Sequence, residues 1–268
     1  MKKRSNFLLI VMVMFGLTTL LSSCGQTEKQ TVIDKIQKTG VLTVATSGNQ
    51  FPFSFKDKDG NLKGIDVFIG KRIAEEMGVK VEYVEADLST IIDVVASGKA
   101  DIAISELSVT AERNMKVMFT DAYFVTGKGI LSNHPGVQQA NEGSSKESQV
   151  TLVVVDNSSS LKYANEHYPN AKLIKAKNLI ESREILFTGK ADGLLADYEI
   201  CEQFSYDKRN NGDYKFERIG EVSDKEFISI AVTPGDDLLF NTVNNLIDKV
   251  KRNKVDEMVD QSWMFYLN

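Results

Sequence analysis

"GKADIAISE" at residues 98–106 and "GKADGLLAD" at residues 189–197 open with the same four residues. In each, a glycine follows an apolar run at helical spacing, and a short apolar run of strand length follows the aspartate. What precedes the two copies also matches. Before the first come a strand at 41–45, a helix at 65–77 stopped by Gly78, a strand at 79–84 and a helix at 88–96. Before the second come a strand at 151–155, a helix at 160–167 stopped near Pro169, a strand at 171–174 and a helix at 178–187. Each half therefore reads βαβαβ. Alternating elements of this kind give mainly parallel sheets covered by helices, so the fold class is α/β with two similar lobes.

The extended apolar runs 123–131 and 227–232 lie where one lobe passes to the other and back. They predict two crossovers, with residues 33–124 and 231–268 in the first lobe and 125–230 in the second. A helix is expected over 237–250, capped by Asp236 or Asp237, and a last turn or two over 255–263. Residues 136–149, rich in Gly, Ser, Asn, Gln and Glu, are expected to be a loop of the second lobe.

Ligands of open α/β sheets bind beyond the carboxyl ends of strands. The duplication then selects two facing groups. Ser47, Gln50 and Phe53 follow the first strand, and Ser105, Glu106, Ser108, Thr110 and Arg113 follow the third. From the second lobe come Ser158, Ser159 and Ser160, and Asp197, which is equivalent by repeat to Glu106. If Thr110 caps a helix, Arg113 falls in its first turn, where a cation opposes the helix dipole. A bound anion removes that conflict. Free backbone N–H groups, hydroxyl donors and a planar guanidinium suit a carboxylate. Asp197 suits an ammonium. The set describes a receptor for a zwitterion, with the carboxylate on Arg113 and the ammonium on Asp197. The competing reading pairs Arg113 internally with Glu106 or Glu112.

The amino terminus is of another kind. Lys2, Lys3 and Arg4 precede an apolar run from Phe7 to Leu21, shorter than a membrane span, as in a secretory signal. It ends in Leu21-Ser22-Ser23-Cys24-Gly25, which resembles the lipobox of bacterial lipoproteins. The expected organisation is a signal peptide over 1–23, then a lipidated Cys24 and a polar tether to residue 32. Removing residues 1–23 takes three basic residues and no acid. That leaves 29 basic against 37 acidic residues, a formal charge of −8. Such a balance argues against nucleic acid or anionic lipid as the main partner. Cys201, the only other cysteine, is expected to be a buried hydrophobe. The two histidines, His134 and His167, have no cluster of ligating residues near them in sequence, so no metal site or cofactor is expected.

The chain resembles the polar amino-acid-binding family of bacterial extracellular solute-binding proteins, partners of ABC importers. The resemblance rests on Gly40-Val41-Leu42-Thr43-Val44, Phe51-Pro52-Phe53-Ser54-Phe55, Gly60-Asn61-Leu62-Lys63-Gly64-Ile65-Asp66-Val67, Ser97-Gly98-Lys99-Ala100-Asp101, Thr110-Ala111-Glu112-Arg113 and Phe119-Thr120-Asp121-Ala122-Tyr123-Phe124. It covers residues 33–263. It implies a two-lobed type II periplasmic-binding fold with a two-strand hinge, and a role as the amino-acid-capturing lipoprotein of an importer. It also implies a monomer, outside the cytoplasm on the bacterial cell membrane, that delivers its ligand to a permease. It implies the same pairing of α-carboxylate with Arg113 and amino group with Asp197.

The sequence departs from the family at several positions. Ser47 stands where many members carry an acid, Gln50 where many carry an aromatic ring, and Phe68 where the signature has an acid. Ser158-Ser159-Ser160 replaces a Gly-Thr-Thr-like turn. Glu106 stands where a small or polar residue is usual. Either Glu106 takes over from the missing acid, contacting the amino group or a polar side chain, or it points outward or pairs with Arg113. The alternatives to import are a ligand-sensing lipoprotein on the same fold and a cyclohexadienyl-type dehydratase with Glu106 as acid.

Overall fold

The computed structural model describes residues 31–134, 137, 150–219 and 225–251. The signal segment, Cys24 and most of the tether lie outside these residues. So do nearly all of the 136–149 loop and the expected turns over 255–263.

In chain order the first lobe is built from α1 (Val32–Thr39), β1 (Val41–Thr46), β2 (Asn49–Gln50), β3 (Ser54–Lys56), β4 (Leu62–Lys63), α2 (Ile65–Met77), β5 (Lys80–Glu85), α3 (Ile91–Ala96), β6 (Ile102–Ala103), α4 (Ala111–Asn114) and β7 (Met118–Phe119). Strand β8 (Phe124–Thr126) leaves it. The second lobe follows with β9 (Lys128–Ser132), β10 (Thr151–Val155), α5 (Ser159–His167), β11 (Lys172–Ala176), α6 (Leu179–Phe187), β12 (Gly193–Asp197), α7 (Tyr198–Ser205) and β13 (Lys215–Ile219). Strand β14 (Glu226–Ile228) returns the chain to β15 (Ala231–Val232) and α8 (Asp237–Lys251).

Each lobe has a five-stranded sheet, ordered β5-β1-β6-β15-β7 and β11-β10-β12-β9-β13. The duplicated strands pair in parallel in both, β5-β1-β6 and β11-β10-β12. The other two strands of each sheet add antiparallel. The fourth place in each is taken by a strand that follows a crossover, β15 in one and β9 in the other. The crossovers themselves pair antiparallel, with Phe124 opposite Ile228 and Thr126 opposite Glu226, and form the two-strand hinge.

The sheets are covered on both faces, as parallel strands require. In β1, Leu42 and Val44 enter one apolar cluster with Ile69, Ile73 and Val243, whereas Ala45 joins Ile91, Val95 and Leu107 on the other face. In β10, Val153 and Val155 pack with α6 and α7, and Leu152 and Val154 with Leu161 and Ala164 of α5. Most expected elements form within a residue or two of their expected ends. The helix expected from Leu88 is shorter and begins at Ile91. Leu88 instead packs against clusters of both lobes.

The repeated tetrapeptide has one job in both places. Gly98 and Gly189 take left-handed φ angles of 73° and 72°, which glycine adopts without strain and which turn a helix into a strand. The aspartate after each turn clamps the first strand of its sheet. Asp101 N–H donates to Thr43 O at 3.0 Å, and its carboxylate accepts from Thr43 N at 2.9 Å. Asp192 N–H donates to Thr151 O at 2.8 Å, and its carboxylate accepts from Thr151 N at 2.7 Å. Asp101 is almost fully buried and also takes the Lys35 ammonium at 2.8 Å. Asp101→Ala should therefore destabilise the protein by about 1–3 kcal/mol in urea denaturation, with a smaller loss for the half-exposed Asp192→Ala. Equal and negligible losses would show that the clamp adds nothing.

Candidate functional site

Residues at and just beyond the ends of β6, β10 and β12 meet Gln50 of β2 in a cleft between the lobes. Its wall includes Gln50, Glu106, Ser108 and Arg113 from the first lobe and Ser158, Ser159, Ser160 and Asp197 from the second. The apolar remainder includes Leu179, Leu195 and Ile200. The free volume between these walls is about 30 Å³. That is room for water but not for an amino acid, so the walls must part to admit one. The cleft shares Arg113, Ser158 and Ser159 with a cavity of about 420 Å³.

Arg113 joins the lobes. Its Nη1 donates to Ser108 O at 2.9 Å and its Nη2 to Asn157 O, across the cleft, at 3.4 Å. Thr110 does cap this turn, accepting from Arg113 N at 3.2 Å. No ion pair joins Arg113 to Glu106 or Glu112 among the described residues; burial lowers its pKa while Asp197, Glu226 and Glu112 favour its charge. Opposite it, Ser158 caps α5 by accepting from Leu161 N at 3.1 Å, so the first turn of that helix faces the cleft.

Two groups of the expected site sit behind the wall. Ser47 and Ser105 donate to Gln50 Oε1 at 2.7 and 2.8 Å. Gln50, fixed in this way, donates through Nε2 to Glu106 Oε2 at 3.2 Å. Phe53 is not part of the wall. It is fully buried in the first lobe's core, its ring 5.5 Å from that of Phe124. Nothing in Phe51-Pro52-Phe53 distinguishes a core ring from a cleft ring.

The structure adds a residue that the strand-end argument did not select. Lys128, at the start of β9, has a side chain only 1% exposed. Its ammonium donates to Asp197, to Ser159 Oγ at 2.8 Å and pairs with Glu226 at 2.8 Å. Ser108 Oγ bonds Glu226 and lies 3.1 Å from Ser159 Oγ. Burial opposes the Lys128 charge, but Asp197 and Glu226 outweigh it and raise its pKa. Against the effect of burial, Lys128 and hydrogen bonds from Ser108 and Ser159 hold Glu226 below the ordinary value. Asp197 is pushed up by burial and pulled back by Lys128. Two carboxylates thus share one ammonium, and the cluster keeps a net negative charge. A lone lysine inside the apolar run 124–131 was the available signal; Glu226 offered none.

Glu106 lies on the opposite wall. It is 4% exposed and holds a left-handed φ of 47°, unusual for a residue with a side chain. Its backbone N–H donates to Asp66 Oδ2 at 3.0 Å, and Tyr123 O–H donates to Asp66 Oδ1 at 2.6 Å. Glu106 Oε1 is buried with no hydrogen-bond partner. Burial first, then Asp197, Glu199 and Asp66, push its pKa well up, against Lys128. Burial also raises Asp66 to about 7, against the hydrogen bonds from Tyr123 and Glu106.

Two lobes on a two-strand hinge, with a polar cleft between strand ends, define a solute-binding protein. The chain belongs to the bacterial extracellular solute-binding proteins, family 3, whose model matches residues 42–265. It is 23% identical to a probable amino-acid ABC transporter-binding protein of Haemophilus influenzae, over 88% of this chain and 89% of the other. It is 28% identical to a cyclohexadienyl dehydratase of Pseudomonas aeruginosa, over 66% of this chain and 67% of the other. A crystal structure of an ancestral amino acid-binding protein, a precursor of cyclohexadienyl dehydratase, is similar with a TM-score of 0.75 and 29% identity. That likeness covers 89% of this chain and all of the other. Among the described residues no group of His, Cys, Asp and Glu could hold a metal, and no helix is long and apolar enough to cross a membrane.

The Asp66 shift fixes a sign. An unfolded aspartate titrates near 4, and this one near 7. Between those values the folded chain holds a proton that the unfolded chain has released, so stability falls as pH rises from about 4 to about 7. Asp66→Asn removes this contribution. In urea denaturation across that range, wild type should lose stability relative to the variant by up to about 1.4 kcal/mol per pH unit. Parallel curves would show that Asp66 is ionised throughout.

Proposed function

We propose that this protein is the lipid-anchored substrate-binding component of an amino-acid ABC importer. The observation that carries the reading is Arg113. Its guanidinium lies in a cleft wall that also holds Ser158–Ser160, and it reaches backbone oxygens of both lobes. A ligand carboxylate at Arg113 would replace these weak carbonyl contacts by charge-assisted pairs. The ammonium would lie at Asp197, where the Lys128 cluster keeps its surplus negative charge. Closure about the β8–β14 hinge would shut the charges from water and strengthen both contacts. Relatives named for amino-acid transport, matched along most of their length, support the choice of solute and the importer. Cys24 would tether the protein to the membrane that holds its permease.

A second reading has one observation in its favour. Glu106 is a buried carboxyl whose pKa is pushed well up, in a cleft with two cations, as an acid catalyst of dehydration needs. The dehydratase relative makes the chemistry worth assaying.

The test is thermal unfolding of purified protein, stripped of carried-over ligand, against the natural amino acids. At a hundredfold excess over Kd a ligand adds about 2.7 kcal/mol, several degrees at roughly 2–4 °C per kcal/mol. One or a few amino acids should give that shift. No shift with any α-amino acid would refute the reading, and turnover of a cyclohexadienyl acid would replace it by the enzyme.

A further inference from the structure

Among the buried carboxyl groups around the cleft, Glu106 is the one set up and left open. Its backbone is held in the left-handed region by Asp66 behind it, and its Oε2 is fixed by Gln50, itself held by Ser47 and Ser105. Its Oε1 has no partner, although the residue is 4% exposed. Strain and an unsatisfied buried oxygen in a ligand cleft are both costs that a ligand can offset.

The groups facing Glu106 decide the kind of ligand. Asp66 lies on α2, with Tyr123 bonded to it. Asp197 and Glu199 lie on the second lobe, Glu199 bonded to Thr126. Among the described residues the cation acting on Glu106 is Lys128, and its ammonium is committed to Asp197, Glu226 and Ser159. Burial, together with Asp197, Glu199 and Asp66, favours the protonated form of Glu106 in the empty cleft. Lys128 and Arg113 offset Asp197 and Glu226, and Asp66 and Glu199 add no positive charge. A zwitterion with a neutral side chain leaves that balance unchanged. A ligand with a second cation brings one more positive charge, which favours loss of the Glu106 proton. Leu179, Leu195 and Ile200 supply the apolar surface along which an alkyl stem can lie.

We propose that Glu106 receives a side-chain cation of the ligand, and that this cation enters in exchange for the proton Glu106 carries in the empty cleft. The exchange is Glu106–COOH plus a ligand of net charge +1, giving Glu106–COO⁻ paired with the ligand and one proton released to water. The proposal rests on the amino-acid reading above and names its class of ligand: basic amino acids, with the α-carboxylate at Arg113.

Titration calorimetry with arginine, lysine and glutamine, at neutral pH in two buffers of different ionisation heat, tests it on the wild-type protein. Arginine or lysine should bind with release of about one proton, and their affinity should rise about tenfold per pH unit while Glu106 is protonated in the free protein. In Glu106→Gln the buffer dependence should vanish, and the ratio of arginine to glutamine affinity should fall about a hundredfold. If glutamine binds but neither basic amino acid does, or if basic amino acids bind without proton release, the proposal is overturned while the amino-acid reading stands. If none of the three binds, the proposal is overturned, and the amino-acid reading falls with it when no other α-amino acid binds either.

Discussion

The middle of this molecule depends on one buried ammonium. Lys128 follows the outgoing hinge strand, Glu226 opens the returning one, and Asp197 ends the central strand β12 of the second sheet. Three parts of the chain distant in sequence thus converge on one nitrogen. Ion clusters of this kind seldom stabilise more than a well-packed apolar core would. What this one supplies is position. It fixes Ser159 and Ser108 on facing walls and sets the hinge strands against the second lobe. It also leaves the cleft with two carboxylates for one cation.

On the proposed reading both walls contribute to each part of recognition. Arg113 and the first turn of α5 make one end of the cleft suited to an anion. Asp197 and Glu106 make the other end acidic. The apolar side chains between them belong mainly to the second lobe. On the proposed reading an amino acid in such a cleft would be oriented by its charged groups, and closure of the hinge would bring both walls onto it. The small free volume between the walls fits a protein that must open to load.

Much of the fold was legible because the decisive signals are local. Gly98 and Gly189 mark helix-to-strand turns, and the aspartates of the repeat act on strands within the same sheet. The strand ends they define bring Gln50, Glu106, Arg113, Ser158 and Asp197 to the facing walls of one cleft. What was not legible depends on distant partners. Lys128 stood out in an apolar run, but its partners lie 69 and 98 positions away. Phe53 satisfies a motif by packing in a core. Asp66 sits in the motif as a charged residue, yet its partners Tyr123 and Glu106 make it a buried structural acid. Antiparallel additions to each sheet follow from the crossovers, which no repeat within either half records.

The central claim is that Arg113 grips the ligand's α-carboxylate. It is tested most directly by titration calorimetry of wild type and Arg113→Gln with whichever amino acid binds and with its α-carboxamide. If the guanidinium and carboxylate meet, substitution and amidation should each weaken binding about a hundredfold, and the two together little more than either alone. If the two losses simply multiply, the groups act independently and the account is wrong at its centre.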